Sequence, residues 1–581
     1  MTRRSLVAGL LFALVFALAA QAQLIPSGSP LPRTALPPVV FINGFQFEGC
    51  PTTFADTFGT ADEVLQANGE VTLFFNTCSL PTNATIEDLG KAFGTFLAGL
   101  KYTDGNSVAQ VDVVAHSMGG LVLRCYLSGK QDTAGVFQPP AARNVRKAIF
   151  LATPHFGTPI ASLPFLGVVN QLEEMSSGSR FLFDLGTWND ATDDLRGVDA
   201  IAAIGNGGTG LLTTTPGFDD GVVPLSSASL RFYAPGRTRV LPYCHISGGG
   251  IIGAFGLCPR DSQGIAKIDS AMHESAQIIV SFLSGTDAWQ SVGEAAEDNK
   301  FLSVDAGVIV EARAADDSFL PIDSATAGSH KLSISADQLA FSDMIPAGSQ
   351  TLTAAGISAS INLPSGGYEA ALVKPGPLIA RVFPAAAADF PLELAPRMIV
   401  ALYGSNFKTA TVSIQGSALK LFYDSSTQIN AVLPDNISGF IPITVATDAG
   451  KTTVNVLLDV AAPALFTQDF SGTGAASALK STDQSLVTDE NPLHAGDTVE
   501  LFATGLGLTK PSGGFDIAVQ QPTVSVGGMT CPVTFAGAAP GFTGLDQINC
   551  TIPSDLMPGA SVPVVIVSAA RASNTATLAV D

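Results

Sequence analysis

The chain has 581 residues, 46% hydrophobic and only 14% charged, and a prior of about 150 residues per domain divides it into roughly three to five domains. Lys and Arg number 29 against 50 Asp and Glu, so the formal net charge is −21; such a surface repels phosphate backbones and excludes nucleic acid as an expected partner. The abundant Gly (58) and Pro (36) suit a secreted, β-rich protein.

The chain opens with Met1-Thr2-Arg3-Arg4, an apolar run from Leu6 to Ala20, and Ala20-Gln21-Ala22. A charged start, a short apolar stretch and small residues at the cleavage point make residues 1–22 a signal peptide cut after Ala22. No later stretch reaches ~18 apolar residues, so no transmembrane span is expected after its removal. The expected location is extracellular or cell-surface, with the periplasm also open. Of seven cysteines, position pairs Cys50 with Cys78, Cys244 with Cys258 and Cys531 with Cys550, and leaves Cys125 as a buried thiol. Sequence alone does not fix that connectivity. Zinc-type Cys/His spacing, EF-hand loops and glycine-rich phosphate loops are missing from the sequence, so the expectation is no metal and no cofactor.

From residue 23 to about 290, short apolar runs alternate with helical patterns, the signature of a mostly parallel sheet with helices on both faces. Val39–Ile42 reads as a buried strand leading into Asn43-Gly44-Phe45-Gln46. A helical stretch over 52–68, a strand over 71–75 and a helix over 85–101 follow; the last has apolar residues at 86, 89, 93, 96, 97 and 100, one helical face. Next come the β-branched run Val108–Val114, the hexapeptide Ala115-His116-Ser117-Met118-Gly119-Gly120, and a helical Leu121–Leu127. Strand, sharp turn and helix with a serine at the apex form a nucleophile elbow. The turn needs small residues around the serine; Ala115 stands where the general pattern has Gly, and a methyl is still small.

Lys147–Leu151 is a further strand, entering Ala152-Thr153-Pro154-His155-Phe156-Gly157-Thr158-Pro159. Residues 160–197 hold an amphipathic insertion, including Phe165, Leu166, Val168, Leu172, Met175 and Trp188. It reads either as an acyl-binding lid over the serine or as helices packed on the body. After a strand at Ala200–Gly205 comes Phe218-Asp219-Asp220-Gly221-Val222-Val223-Pro224. Arg239–Tyr243 is the last strand, running into Cys244-His245. His273 stands at the head of a closing helix, Glu274–Leu283.

Together, AHSMGG and ATPHFGTP resemble secreted bacterial lipases and esterases of the α/β-hydrolase superfamily, over roughly residues 37–285. The resemblance implies an α/β-hydrolase domain with a cap and a serine ester hydrolase working through an acyl-enzyme on carboxylic, lipid-type esters. Ser117 is then the nucleophile. Asp220, directly before Gly-Val-Val-Pro, is the triad acid with Asp219 as runner-up, and His245 is the base with His273 as competitor. The backbone N–H groups of Phe45 and Met118 form the oxyanion hole. Asn43-Gly44 departs from the His-Gly common at this point in lipases, which leaves the backbone role open. His155 reads as structural or substrate-facing. Two other functions stay open: a non-catalytic adhesive protein with a degenerate hydrolase domain, and an acyltransferase or thioesterase using the same triad.

Beyond about residue 291 helical periodicity fades into short β-branched runs punctuated by Gly, Pro, Asn and Asp. An internal repeat appears: Ile399–Gly404 answers Val499–Gly505, Thr411–Gly416 answers Thr523–Gly528, Gln428–Pro434 answers Gln547–Pro553, and Pro442–Val445 answers Pro563–Ile566. The expected modules are a hydrolase domain at 23–290, a β-module at 295–380 and immunoglobulin-like modules at 388–462 and 463–581. The last 190 residues or so resemble a C-terminal β-domain of acidobacterial-type secreted proteins, which has no assigned chemistry. Its expected role is contact with a cell surface or polymer, or that of a spacer presenting the hydrolase.

Overall fold

The computed structural model describes residues 28–46, 49–81, 83–162, 169–189, 195–213, 216–249, 251–387 and 393–581. The signal peptide expected at 1–22 and residues Phe165, Leu166 and Val168 of the expected cap lie outside them.

The first domain is built on strands β1 (Val39–Ile42), β2 (Thr72–Phe75), β3 (Val111–His116), β4 (Val145–Leu151), β5 (Asp199–Gly205), β6 (Thr238–Leu241) and β7 (Glu294–Ala295). They form one sheet in the order β2-β1-β3-β4-β5-β6-β7, parallel except for β7. Every residue of β1 and β3 is buried, as expected of strands covered on both faces. The helices are α1 (Phe54–Phe58), α2 (Ala61–Ala67), α3 (Ile86–Gly99), α4 (Met118–Ser128), α5 (Asn170–Met175), α6 (Arg180–Thr187), α7 (Leu225–Ala228), α8 (Ile251–Ala254) and α9 (Glu274–Leu283). One core packs α3, α4, α5 and α6 on one face of the sheet, and a second packs α1, α2 and α9 on the other. The start of α3 is fixed by a capping box: Thr85 Oγ1 accepts from the Asp88 amide, and Asp88 accepts from the Thr85 amide.

The helix expected over 52–68 is two helices. Gly59 breaks it with φ +60°, and a Cβ there would sit 1.9 Å from the Ile268 carbonyl oxygen. The chain bends at that point because the Thr60 amide donates to the same oxygen at 2.8 Å.

Among the described residues the sheets of the rest of the chain are antiparallel, apart from Tyr368–Val373 on Asp305–Arg313 and three isolated parallel bridges, Leu394–Leu458, Ala475–Thr577 and Leu493–Val580. The strand Leu378–Pro384 pairs with Ile399–Ser405, so it goes with the strands that follow it rather than with the 295–380 segment. The sequence repeat has a matching arrangement in space. Ile399–Ser405 neighbours Gln428–Val432 in one sheet, and Thr411–Ile414 neighbours Gly439–Thr447 in another. Thr498–Thr504 likewise neighbours Asp546–Thr551, and Thr523–Val526 neighbours Gly559–Ser568. Each pair of sheets encloses its own apolar core. Cys531–Cys550 is bridged and ties the two sheets of the last unit together.

These units are fastened to the first domain. Phe156 stacks on Tyr368 at 4.6 Å, and Ile309, Leu339 and Tyr368 belong to the same core as α3 and α4. A four-residue charge network joins three parts of the chain. Arg143 binds Glu393 at 2.6 Å and Asp459 at 2.8 Å, and Arg571 binds the same two carboxylates, each at 2.7 Å.

Candidate active site

In a doubly wound sheet the functional loops gather at the carboxyl ends of the strands. Here Phe45 follows β1, Ser117 follows β3, Asp220 follows β5 and His245 follows β6.

Ser117 has φ +57° and ψ −131°, a conformation a side-chain-bearing residue holds only under constraint from its surroundings. Its amide donates to the Leu151 carbonyl at 2.9 Å. The space around the turn explains the small residues in the motif. A Cβ on Gly44 would come within 2.5 Å of Ser117 Cβ, and one on Gly120 within 2.0 Å of Thr153 Oγ1. Ser117 caps α4, so the first amides of that helix, beginning with Met118, and the positive end of its dipole lie beside the hydroxyl.

The side chains of Ser117, His245 and Asp220 meet. With the ring proton on Nδ1, His245 Nε2 accepts from Ser117 Oγ at 2.8 Å and Nδ1 donates to Asp220 Oδ2 at 2.7 Å. His245 is 2% exposed and Asp220 1%, so water does not compete for these bonds. The other carboxylate oxygen, Asp220 Oδ1, accepts from the amides of Val222 and Val223 at 2.9 and 2.7 Å. The main chain is tied as well: the His245 amide donates to the Asp220 carbonyl at 2.8 Å. The Cys244–Cys258 bridge closes the loop beside the base. Gly221, at φ +91°, passes so near that a Cβ would be 2.7 Å from Cys258 Sγ.

The alternatives lie elsewhere. Asp219 accepts from Thr213 Oγ1 and from the Gly221 amide, away from the imidazole. His273 stacks on Tyr243 at 4.3 Å, and its Nδ1 accepts from the Ser275 amide at 3.3 Å at the start of α9. His155 is fully buried between Phe150 and Phe232, beneath the Arg124 side chain; burial, then that charge, hold its pKa well below the ordinary value. It is a core histidine and lines neither of the two spaces at the site, one walled by Ser117 and one by His245.

Phe45 lines both of those spaces. Its loop is held by Asn43 Oδ1, which accepts from the Thr77 amide at 2.8 Å, and by Gly44 O, which accepts from Gln46 Nε2 at 2.9 Å. Asn43 thus serves the shape of the loop. His116 is a residue sequence reasoning passed over. Its Nε2 donates to the His245 carbonyl at 3.1 Å, and the two rings are 4.9 Å apart. Burial, then the neighbouring His245, hold His116 neutral by pulling its pKa well down. The available signal was its position next to the serine at the end of a buried strand. Among the described residues no cluster of His, Cys, Asp or Glu could hold a metal ion. No described helix is long and apolar enough to cross a membrane.

Residues 37–196 match the family described as Lipase (class 2). That match marks the N-terminal domain as a lipase-like hydrolase. The lipase-like segment holds Phe45, Ser117 and Met118, while Asp220 and His245 lie beyond its end. Among curated proteins none matches the chain. Among solved structures, phospholipase PlaB from Legionella pneumophila is similar at 14% identity and a TM-score of 0.40, over 59% of this chain and 94% of that one. The mature form of lipase BlEst2 from Bacillus licheniformis is similar at 20% identity and a TM-score of 0.28, over 38% of this chain and 89% of that one. The surface glycan-binding protein PbSGBP-B from Prevotella bryantii is similar at 15% identity and a TM-score of 0.13, over 34% and 41%. Likenesses at this level assign no residue and no substrate.

Proposed function

We propose that this protein is a serine ester hydrolase. The observation that carries the reading is the buried chain of hydrogen bonds from Ser117 Oγ through His245 to Asp220, at 2.8 and 2.7 Å. In this reading Ser117 Oγ attacks the ester carbonyl while His245 Nε2 takes its proton. The charge that develops on the carbonyl oxygen is met by the amides of Met118 and Phe45, each such donor worth ~3–4 kcal/mol of barrier. Asp220 holds the imidazole tautomer and stabilises the imidazolium. Collapse of the tetrahedral intermediate breaks the bond to the alcohol oxygen, which takes the proton from His245. Water, activated by the same imidazole, then releases the acid. His116 holds the His245 main chain and acts as a positioning residue.

The lipase-family match favours carboxylic esters of the lipid type as substrates. Export with cleavage after Ala22 fits the three disulfides, which persist in oxidising compartments. The paired sheets of the last two units support reading them as immunoglobulin-like modules, with units near 23–295, 305–373, 378–458 and 464–580. Their contact with a cell surface or polymer is part of the same proposal. The test is a fluorophosphonate probe followed by peptide mapping: the label is expected on Ser117 alone. A folded protein that takes no label there would contradict the reading.

A further inference from the structure

Two spaces lie at the site, one lined by Ser117 and the other by His245, and the chemistry of acyl transfer says which half of the ester each receives. The leaving alcohol oxygen must lie within reach of His245 Nε2, the group that protonates it. The space walled by His245 is therefore the alcohol side. It is a groove of about 310 Å3 whose lining mixes polar residues, among them Gln46, Thr57, Ser247 and Lys267, with the apolar Phe45, Ile246 and Ala266. The space that includes Ser117 but not His245 is then the acyl side. Its walls are almost wholly apolar, with Ile160, Leu172, Met175, Val222 and Val223, and it offers only about 10 Å3. One water needs ~10–15 Å3, so between its walls this cleft has room for about one water at most.

The walls contributed by the cap are braced from two sides. Toward α3, Glu174 accepts from the Ile86 amide at 2.7 Å and Gln171 donates to the Ala84 carbonyl at 2.9 Å. Toward the β-sheets, Gly178 lies so close to Phe341 that a Cβ would meet its ring at 2.4 Å, and the Arg180 amide donates to Asp337 at 2.7 Å. Leu172 and Met175 stand on α5, between these two anchorages. A long acyl chain would have to break one set to enter.

We infer that, within the serine ester hydrolase reading and narrowing its lipid-type esters to those with a short acyl group, the substrate joins that acyl group to a larger polar alcohol, with the β-module at 305–373 holding the cap against longer chains. In the groove, Asp56 is turned to the start of α1, where it accepts from the Thr52 and Thr53 amides. Lys267 donates to the Asp56 carbonyl at 3.3 Å and makes no ion pair among the described residues. Lys267 is therefore placed to meet an anionic group on the alcohol, while the Asp56 carboxylate on the same groove is engaged by the start of α1.

The experiment is a series of 4-nitrophenyl esters from C2 to C12, below their aggregation concentrations, run beside fluorophosphonate labelling. The expected result is that kcat/KM for C2–C4 exceeds that for C10 by about 100-fold, a difference the unchanged alcohol assigns to the acyl side. Met175→Ala, and Val223→Ala on the facing wall, raise the C8-to-C2 ratio about tenfold in protein that remains folded. Lys267→Glu lowers turnover of 4-acetoxybenzoate relative to 4-nitrophenyl acetate about three- to tenfold. A labelled enzyme that hydrolyses C10 as well as C2, or whose chain-length ratio ignores both wall substitutions, overturns the inference and leaves the serine hydrolase reading standing. No label and no turnover of any ester removes that reading and the inference with it.

Discussion

Ser117 and His245 are 128 positions apart and His245 and Asp220 are 25 apart, yet their side chains form one buried line. At this scale the choice between two histidines is a choice between environments. His245 has a ring nitrogen on a hydroxyl and the other on a carboxylate. His273 accepts an amide at a helix start and stacks on Tyr243, with burial pulling its pKa down. His245→Ala is therefore expected to lower kcat by ~10⁵–10⁶. His273→Ala should keep kcat within about threefold and act on stability instead. Steady-state kinetics on the two variants decide it, and the opposite pattern would move the base to His273. His155 illustrates the reverse case: a histidine within a loop motif can simply fill a core.

Among the elements, the cap helix α5 has the most unusual chemistry. Glu174 sits against Glu87 and near Lys130; desolvation, then Glu87, push its pKa up to about 9. The folded state thus keeps a proton that the unfolded chain gives up near pH 4.5. This contribution is complete below pH 4.5 and is lost as pH rises toward 9. Glu174→Gln removes that titration while still offering an oxygen to the Ile86 amide. Its stability relative to wild type should grow by on the order of 1–3 kcal/mol from pH 5 to pH 9, measured by urea unfolding. A constant difference across that range would contradict the account. The elements themselves were largely legible in the sequence: the elbow, the parallel strands and α3 follow from runs, spacing and caps that act locally. What was not legible depends on distant partners. The break at Gly59 is set by Ile268, and the part His116 plays is set by the main chain at His245. The pairing of Leu378–Pro384 with the strands after it depends on Ile399–Ser405, since its own sequence suits either neighbour.

For the whole molecule, the β-sheets are joined to the hydrolase by buried contacts. Arg143, Glu393, Asp459 and Arg571 bring the hydrolase, the 378–458 sheets and the last unit to one point. Arg571 also donates to the Arg196 carbonyl at 3.0 Å, and Gly197 leaves it the room to do so. The Glu393 side chain is 4% exposed, so removing a cation beside it leaves charge in poor solvent. Arg571→Ala is expected to cost about 1–3 kcal/mol in urea unfolding while leaving kcat on 4-nitrophenyl acetate unchanged. A variant as stable as wild type would show that the network is a surface ornament rather than a fastening.

The central claim is that one hydroxyl at the end of β3 does the chemistry. Its most direct test is ester turnover by wild type and by Ser117→Ala, with folding of both checked by circular dichroism. The expected result is a fall of ~10⁶-fold in kcat with the fold intact. A folded Ser117→Ala protein that turns over esters at the wild-type rate would contradict it.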